Sequence, residues 1–223
     1  MTYSSEWERI IGRFGRWIDF ENDYKTMDVN FMESVWWTFK QIFDKGLVYR
    51  GSRIMPYSTG CTTVLSNFEA TSNYKQAKDP ALIITFPLVA EPEVSFVAWT
   101  TTPWTLPSNL ALAVNPDMVY VRLVDDEKNK TYIVAESRVA YTVKFSNIKK
   151  HHIVEGWKKK GSELKGTEYI PLFDYFTHLK DQGCFKVLAA PFVTNDTGTG
   201  IVHCAPGFGE EDYQVCVKNG LIE

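Results

Sequence analysis

The chain has 223 residues, 44% hydrophobic and 23% charged, with a formal net charge of −3. That length supports a substantial core in one large domain or two small ones. No apolar run reaches 18 residues, which excludes a membrane-spanning helix; MTYSSEWERI has no secretory h-region, and the charge gives no global drive towards nucleic acid.

Residues 5–20 are expected to form an amphipathic helix. Ser5 and Glu8 match a capping box, and Trp7, Ile10, Ile11, Phe14, Trp17 and Ile18 recur at helical spacing. A second helix is expected over 28–45, with Asp28 at its N-cap and Gly46 stopping it. Phe31, Met32, Val35, Trp36, Phe39, Ile42 and Phe43 line one side. Trp36 is expected in a core, and Trp37, off the stripe centre, faces towards another domain. After Gly46 the hydrophobic period changes to two. LVYRG and RIMPYS look like short strands, and SNFEATSNYKQAKDPA like an exposed crossing segment.

From Leu82 the pattern is mainly strands: LIITFPLV, VSFVAWT, MVYVRLV, TYIVAE, CFKVLAA and GTGIVHCA, separated by turn clusters. Short helices fit at about 136–145 and 209–218. Many short strands without regular β-α alternation predict an α+β fold built on a closed or nearly closed barrel, not a doubly wound sheet. A boundary is expected near residue 80, giving a helical N-terminal part over 1–80 and a barrel over 81–223.

Within the barrel region, AWTTTPWTLPSN (98–109) joins two apolar runs through three adjacent threonines and two prolines. Pro103 and Pro107 bias Thr102 and Leu106 away from helix, so the stretch is expected to run extended and bend twice. Strand alternation sends Thr100 and Thr102 to one face and Thr101 to the other. Threonine hydroxyls both donate and accept hydrogen bonds and stay neutral, so they can orient a water, a ribose hydroxyl or an ester carbonyl. They also suit strands simply because they are β-branched.

The second unusual segment is NDTGTGIVHCAPGFGEEDY (195–213). Gly198 and Gly200 allow a tight entry into the strand, and the spacing fails the dinucleotide fingerprint. His203 lies inside an apolar strand, where a lone histidine is commonly structural. Glu210, Glu211 and Asp212 crowd the first turn of the following helix. They complement its dipole, and could equally seat a cationic group such as an amine.

Cys61, Cys184, Cys204 and Cys216 are scattered without a C-x-x-C pair, as expected of free thiols in a reducing compartment. His151 and His152 lack cysteines at ligand spacing, so no zinc site is expected. Residues 144–165 carry seven lysines (144, 149, 150, 158, 159, 160, 165) against Glu155 and Glu163. This run is either a solvated face or a surface that touches phosphates.

Taken together, AWTTTPWTLPSN and, about ninety residues on, GTGIVHCAPGFGEED resemble the inserted editing (CP1) domain of isoleucyl-tRNA synthetases. The related valyl and leucyl enzymes carry an arginine after the paired threonines, where this chain has Pro103-Trp104. GRWIDFENDYKTMDVNFMESVWW and GLVYRGSRIMPYSTGCTTVLSNFEA resemble the eukaryotic cytosolic form. The activation signatures H-I-G-H and K-M-S-K-S are absent from this chain. It is thus expected to be an excised insert that does not activate isoleucine, incomplete at its C-terminal edge. Only Cys61 stands where bacterial relatives often have cysteine pairs.

The resemblance implies a cytoplasmic editing hydrolase with a β-barrel of the valyl/leucyl/isoleucyl type, needing no cofactor or metal. Its substrate would be valine wrongly attached to the isoleucine tRNA, and perhaps valyl-adenylate. Its partners would be the 3′ end of the aminoacylated tRNA, the valine moiety and the rest of the synthetase body, with no membrane involved. It further implies that Asp212 binds the α-ammonium, while Thr100, Thr101 and Thr102 contact the terminal adenosine and ester and help place water. Asn109 would fix that loop or the water. Trp104, Thr105, His203 and Phe208 would shape the side-chain pocket, with Thr105 and His203 barring isoleucine. A passive tRNA-acceptor clamp and a purely structural insert are the alternative readings.

Overall fold

The computed structural model describes residues 2–222. The chain divides into two compact units, the first ending at Arg53 and the second beginning at Ile54.

In the first unit, helix α1 spans Thr2–Arg13 and α2 spans Val29–Asp44. The first helix starts earlier than the capping box suggested, so Ser5 lies within it. It also stops earlier: Gly15 adopts φ +74°, and Arg16 N–H returns to Ile11 O at 3.3 Å. This left-handed glycine closure ends a helix before Trp17 and Ile18 can join it. Helix α2 ends the same way at Gly46 (φ +69°), with Leu47 N–H on Ile42 O. Asp28 is the N-cap residue by position, without a side-chain capping bond. The apolar stripe is present but uncovered: Trp36 is 78% exposed, so the core position expected for it is not observed.

The second unit opens with a small hairpin, β1 (Tyr57–Ser58) and β2 (Thr63–Val64), followed by α3 (Asn67–Ala70). Here a capping box does form, between Ser66 and Glu69. Of the two early strands expected, LVYRG is irregular and RIMPYS contributes only Tyr57–Ser58.

The main body uses β3 (Leu82–Pro87), β4 (Val94–Thr100), β5 (Ala111–Val114), β6 (Val119–Asp125), β7 (Lys130–Ala135) and β8 (His151–Lys160). Strands β9 (Lys186–Ala189) and β10 (Ile201–Cys204) complete it, with helices α4 (Val139–Phe145), α5 (Gly161–Leu164) and α6 (Glu210–Lys218). Two mixed sheets result. One has the order β3-β4-β7-β6-β8, with β4 and β7 parallel; the other has the order β10-β5-β9, with β5 and β9 parallel.

Strand β4 explains why its sequence reads as an unbroken apolar run. Phe96 and Ala98 point into the larger core, which also holds Leu112, Tyr120, Ile133 and Ile201; Val97 points to the opposite face, with Val121, Leu123, Val134 and Ile148. A strand buried on both faces loses the polar alternation of a surface strand. Helix α4 supplies Val139 and Val143 to that second cluster.

Strand β8 was not anticipated, because its lysines mask the alternation. It is the outer strand beside β6, kinked where Gly156 takes φ +75° and the register slips between Val121 and Leu123. Lysines and a bulge on an edge strand discourage pairing with another chain.

The entry to β10 fastens the two sheets. Thr199 Oγ1 donates to Val97 O at 2.6 Å, Ala135 N–H donates to Thr199 O at 3.0 Å, and Tyr120 OH donates to Gly200 O at 2.7 Å. Gly200 sits at φ +79°, and a Cβ there would lie 2.4 Å from the Ala135 Cβ. The close approach of the two sheets therefore depends on this glycine.

Candidate functional site

The threonine segment begins where β4 ends. The buried Thr100 accepts the Thr102 N–H on its Oγ1 at 3.0 Å, and the two hydroxyl oxygens are 3.3 Å apart. They share a face, as the strand alternation predicted, although Thr101, expected on the other face, lines the same cavity. The continuation differs from expectation: Pro103–Ser108 winds into a 3-10 turn with Pro103 in its first turn. A proline there has its φ preset and no N–H to lose. Thr105 N–H and Asn109 N–H close the turn on the carbonyls of Thr102 and Leu106.

Opposite this turn, β10 pairs antiparallel with β5 and sets His203 across from Leu112. Thr105 Oγ1 donates to Thr102 O at 2.9 Å and meets His203 Nε2 at 2.8 Å. Both side chains are buried, and His203 Nδ1 has no hydrogen-bond partner among the described residues. Burial pushes the imidazole pKa down to about 4, so the ring is neutral at physiological pH.

After β10, the 205–209 turn leads into α6, with Gly209 at its N-cap and Asp212 in its first turn. Asp212 Oδ2 accepts the Ala205 N–H at 2.9 Å. Burial raises the carboxyl pKa; the Ala205 hydrogen bond opposes the rise and the neighbouring Glu211 adds to it. A partly desolvated carboxylate of this kind is stabilised by any cation that reaches it.

One cavity of about 330 Å³ joins these parts. Thr100, Thr101 and Thr102 line it together with Thr105, His203, Phe208 and Asp212. Two of the expected site residues lie elsewhere. Asn109 is buried behind the turn, its Nδ2 donating to Ala111 O at 2.9 Å and its Oδ1 accepting the Tyr169 hydroxyl at 2.6 Å. Trp104 is 66% exposed and packs edge-to-face on Phe208, with ring centroids 5.3 Å apart.

Sequence reasoning missed part of the wall. Trp99, Phe192, Thr197 and Thr199 also line the cavity. Thr197 and Thr199 alternate with Gly198 and Gly200 in NDTGTG, whose glycines are expected only to allow a tight entry into the strand; that repeat of hydroxyl and glycine was the available signal. Arg138 holds this loop, its Nε donating to Gly198 O at 2.8 Å and its Nη1 to Asn195 O at 3.2 Å.

A neutral, hydroxyl-rich wall and a partly desolvated carboxylate that line one small cavity can together bind an amine and orient an uncharged acyl group. Residues 1–201 match the family of class I tRNA synthetases (I, L, M and V), and the chain belongs to that family. Relatives that align over the whole chain include isoleucine–tRNA ligases. It is 58% identical over 223 residues to that of Tetrahymena thermophila, and 54% over 222 residues to the cytoplasmic one of Saccharomyces cerevisiae. In both cases all of this chain aligns with 20% of the relative, so it spans about a fifth of their length. Among solved structures, the editing domain of the P. falciparum cytosolic leucyl-tRNA synthetase matches with a TM-score of 0.42 and 20% identity. That match covers 54% of this chain and 44% of the other.

Proposed function

We propose that this chain is the proofreading insert of a cytoplasmic isoleucine–tRNA ligase, hydrolysing valine mis-attached to the isoleucine tRNA and, in the same cavity, valyl-adenylate. In this reading residues 81–223 are the editing unit, of the β-barrel type, and 1–80 connect it to the synthetase body. A pocket for isoleucine gains only about 1–3 kcal/mol over a ligand one methylene smaller, the isoleucine–valine pair being the standard worked case of this limit. A second, smaller cavity that destroys the valine product supplies the missing discrimination.

The observation that carries this reading is the common cavity of Thr100, Thr102 and Asp212. Asp212 keeps Oδ1 for the α-ammonium while Oδ2 is held by Ala205 N–H. The threonine hydroxyls orient the ester and the attacking water. The water oxygen bonds to the acyl carbon and the ester C–O bond breaks. The departing ribose oxygen takes up one of the water's protons and becomes a hydroxyl, and the other proton passes to solvent as free valine leaves as its carboxylate. Thr105 and His203 act as a steric stop for a longer side chain. The imidazole is a poor general base, because burial holds its pKa near 4. Asn109 positions the turn through Tyr169 and Ala111, and Trp104 and Phe208 stand at the mouth.

Incubating the 223-residue chain with valyl-tRNA for isoleucine tests this. Release of valine above the buffer rate is expected, with isoleucyl-tRNA spared. Binding without release would make the chain a passive acceptor-end clamp, and neither would leave it a structural insert.

A further inference from the structure

Residues 194–198 contribute Thr194, Thr197 and Gly198 to the cavity wall. The chain on either side is well fastened. Val193 O accepts from Asn115 Nδ2 at 2.8 Å, and Thr199 is hydrogen-bonded to Val97 and Ala135. Between those fastenings, the only hydrogen bonds the segment makes among the described residues come from one side chain. Arg138 Nε donates to Gly198 O at 2.8 Å, and Arg138 Nη1 donates to Asn195 O at 3.2 Å. Arg138 ends the short turn after β7 and is not itself in the wall. Its guanidinium lies over the Tyr141 ring of α4, 4.5 Å from the centroid. A planar fork resting on an aromatic face fixes two carbonyls in position and angle at once, which a lysine ammonium does not. Gly198, at φ +67°, lies so close to Trp99 that a Cβ there would come within 3.1 Å of the indole. The gripped segment therefore positions Thr197 and bears on Trp99, a further wall residue.

We propose that Arg138 is a positioning residue that gives the cavity its size selectivity. This rests on the editing reading above. Valine and isoleucine differ by one methylene, and a cavity excludes the longer side chain only if its walls do not yield. A wall segment tethered by a single side chain is only as stiff as that tether. Thr105 and His203 supply the steric stop, and Arg138 keeps the 194–198 segment from moving away and making room. Because Arg138 stands outside the wall, its loss widens what the cavity accepts without removing the groups that hold the amine and the ester.

The test is the ratio of kcat/KM for isoleucyl-tRNA to that for valyl-tRNA, both made on the isoleucine tRNA and measured with the 223-residue chain. A general loss of folded protein lowers both values and cancels in the ratio. Arg138→Ala is expected to raise it about tenfold or more, on the scale of discrimination that one methylene carries. Arg138→Lys keeps the charge and the stem but not the fork, and is expected to show a smaller rise of the same sign. A fall in both rates with the ratio unchanged would make Arg138 a structural support only and overturns the proposal. So does an unchanged ratio at full rate. Should Arg138→Ala not fold, Arg138→Lys decides: a raised ratio supports the role and an unchanged one overturns it. If the unsubstituted chain releases valine no faster than buffer does, the editing reading itself fails and takes this role with it. If it does release valine and the ratio ignores position 138, this inference alone falls.

Discussion

Thr105 Oγ1 stands 2.8 Å from His203 Nε2, although 98 positions separate the two residues in the chain. The contact joins the 3-10 turn after β4 to the strand that carries the histidine. It is buried, so neither partner has water to fall back on. Thr105→Val keeps the shape and removes the hydroxyl, leaving Nε2 as well as Nδ1 unpaired. A buried polar group left unsatisfied costs about 1–3 kcal/mol. Urea unfolding should report a loss of that size, with most of it regained in Thr105→Ser. Equal stability in Thr105→Val would show that the bond contributes nothing.

The same pair lines the cavity. Thr105→Ala removes a methyl and a hydroxyl from the wall and makes room for one more methylene. Under the editing reading the variant should begin to release isoleucine from correctly charged tRNA, which the unsubstituted chain spares. Deacylation of isoleucyl-tRNA, compared between the two proteins, checks this. Continued sparing of isoleucine would transfer the steric role to His203 alone.

Burial of His203 also makes stability depend on acid. Its pKa falls from 6.5 to about 4 in the folded chain, so between those values the unfolded state binds more protons than the folded one. Stability therefore rises with pH across that window and is lost as pH falls from 6.5 towards 4, by roughly 3 kcal/mol in all. Asp212 opposes this, because its raised pKa lets the folded state take up a proton first on acidification. Unfolding free energies from pH 7 to pH 4 should thus fall less steeply in His203→Gln than in the unsubstituted chain. Parallel curves would exclude His203 as the source.

What could be read from the sequence was what depended on local chemistry. The strand alternation put Thr100 and Thr102 on one face, the glycine at 46 stopped α2, and the long apolar runs became strands. Features that depended on tertiary context were misread. Pro103 and Pro107 looked like breakers of an extended segment, but with Pro103 in its first turn a 3-10 turn forms. Strand β8 was hidden because an edge strand tolerates lysines on positions an inner strand would fill with apolar groups. Asn109 is expected from the resemblance to fix the loop or the water, and the partners that engage its amide, Ala111 and Tyr169, could not be named from the motif. No spacing rule links residue 109 to residue 169.

Gly200 is a case where one hydrogen in place of a methyl decides whether the sheets can meet. Its φ of +79° disfavours any other residue, and an alanine Cβ would fall 2.4 Å from the Ala135 Cβ. Backbone strain and overpacking together should cost Gly200→Ala at least about 2 kcal/mol. The hydrogen bonds of Thr199 to Val97 and of Ala135 to Thr199 would loosen with it. Denaturant unfolding measures the loss, and faster amide exchange at Ala135 locates it. A variant as stable as the unsubstituted chain, with Ala135 equally protected, would refute this account.

Under the editing reading the two oxygens of Asp212 have different duties, which makes the choice of substitution decisive. Oδ2 holds the Ala205 N–H at 2.9 Å, so Asp212→Ala would orphan a backbone donor and blur structure with function. Asp212→Asn retains an acceptor for that N–H and removes only the charge. The fold should then survive with little change in unfolding free energy. Hydrolysis of valyl-tRNA should drop at least about tenfold, since a hydrogen bond to a charged partner contributes about 1.5–3 kcal/mol. Because the ammonium is bound before and during attack, the loss should appear mainly in KM. A substrate analogue lacking the amine should be cleaved equally slowly by both proteins. If Asp212→Asn hydrolyses valyl-tRNA at the full rate, the amine is held elsewhere and the assignment of this carboxylate is wrong.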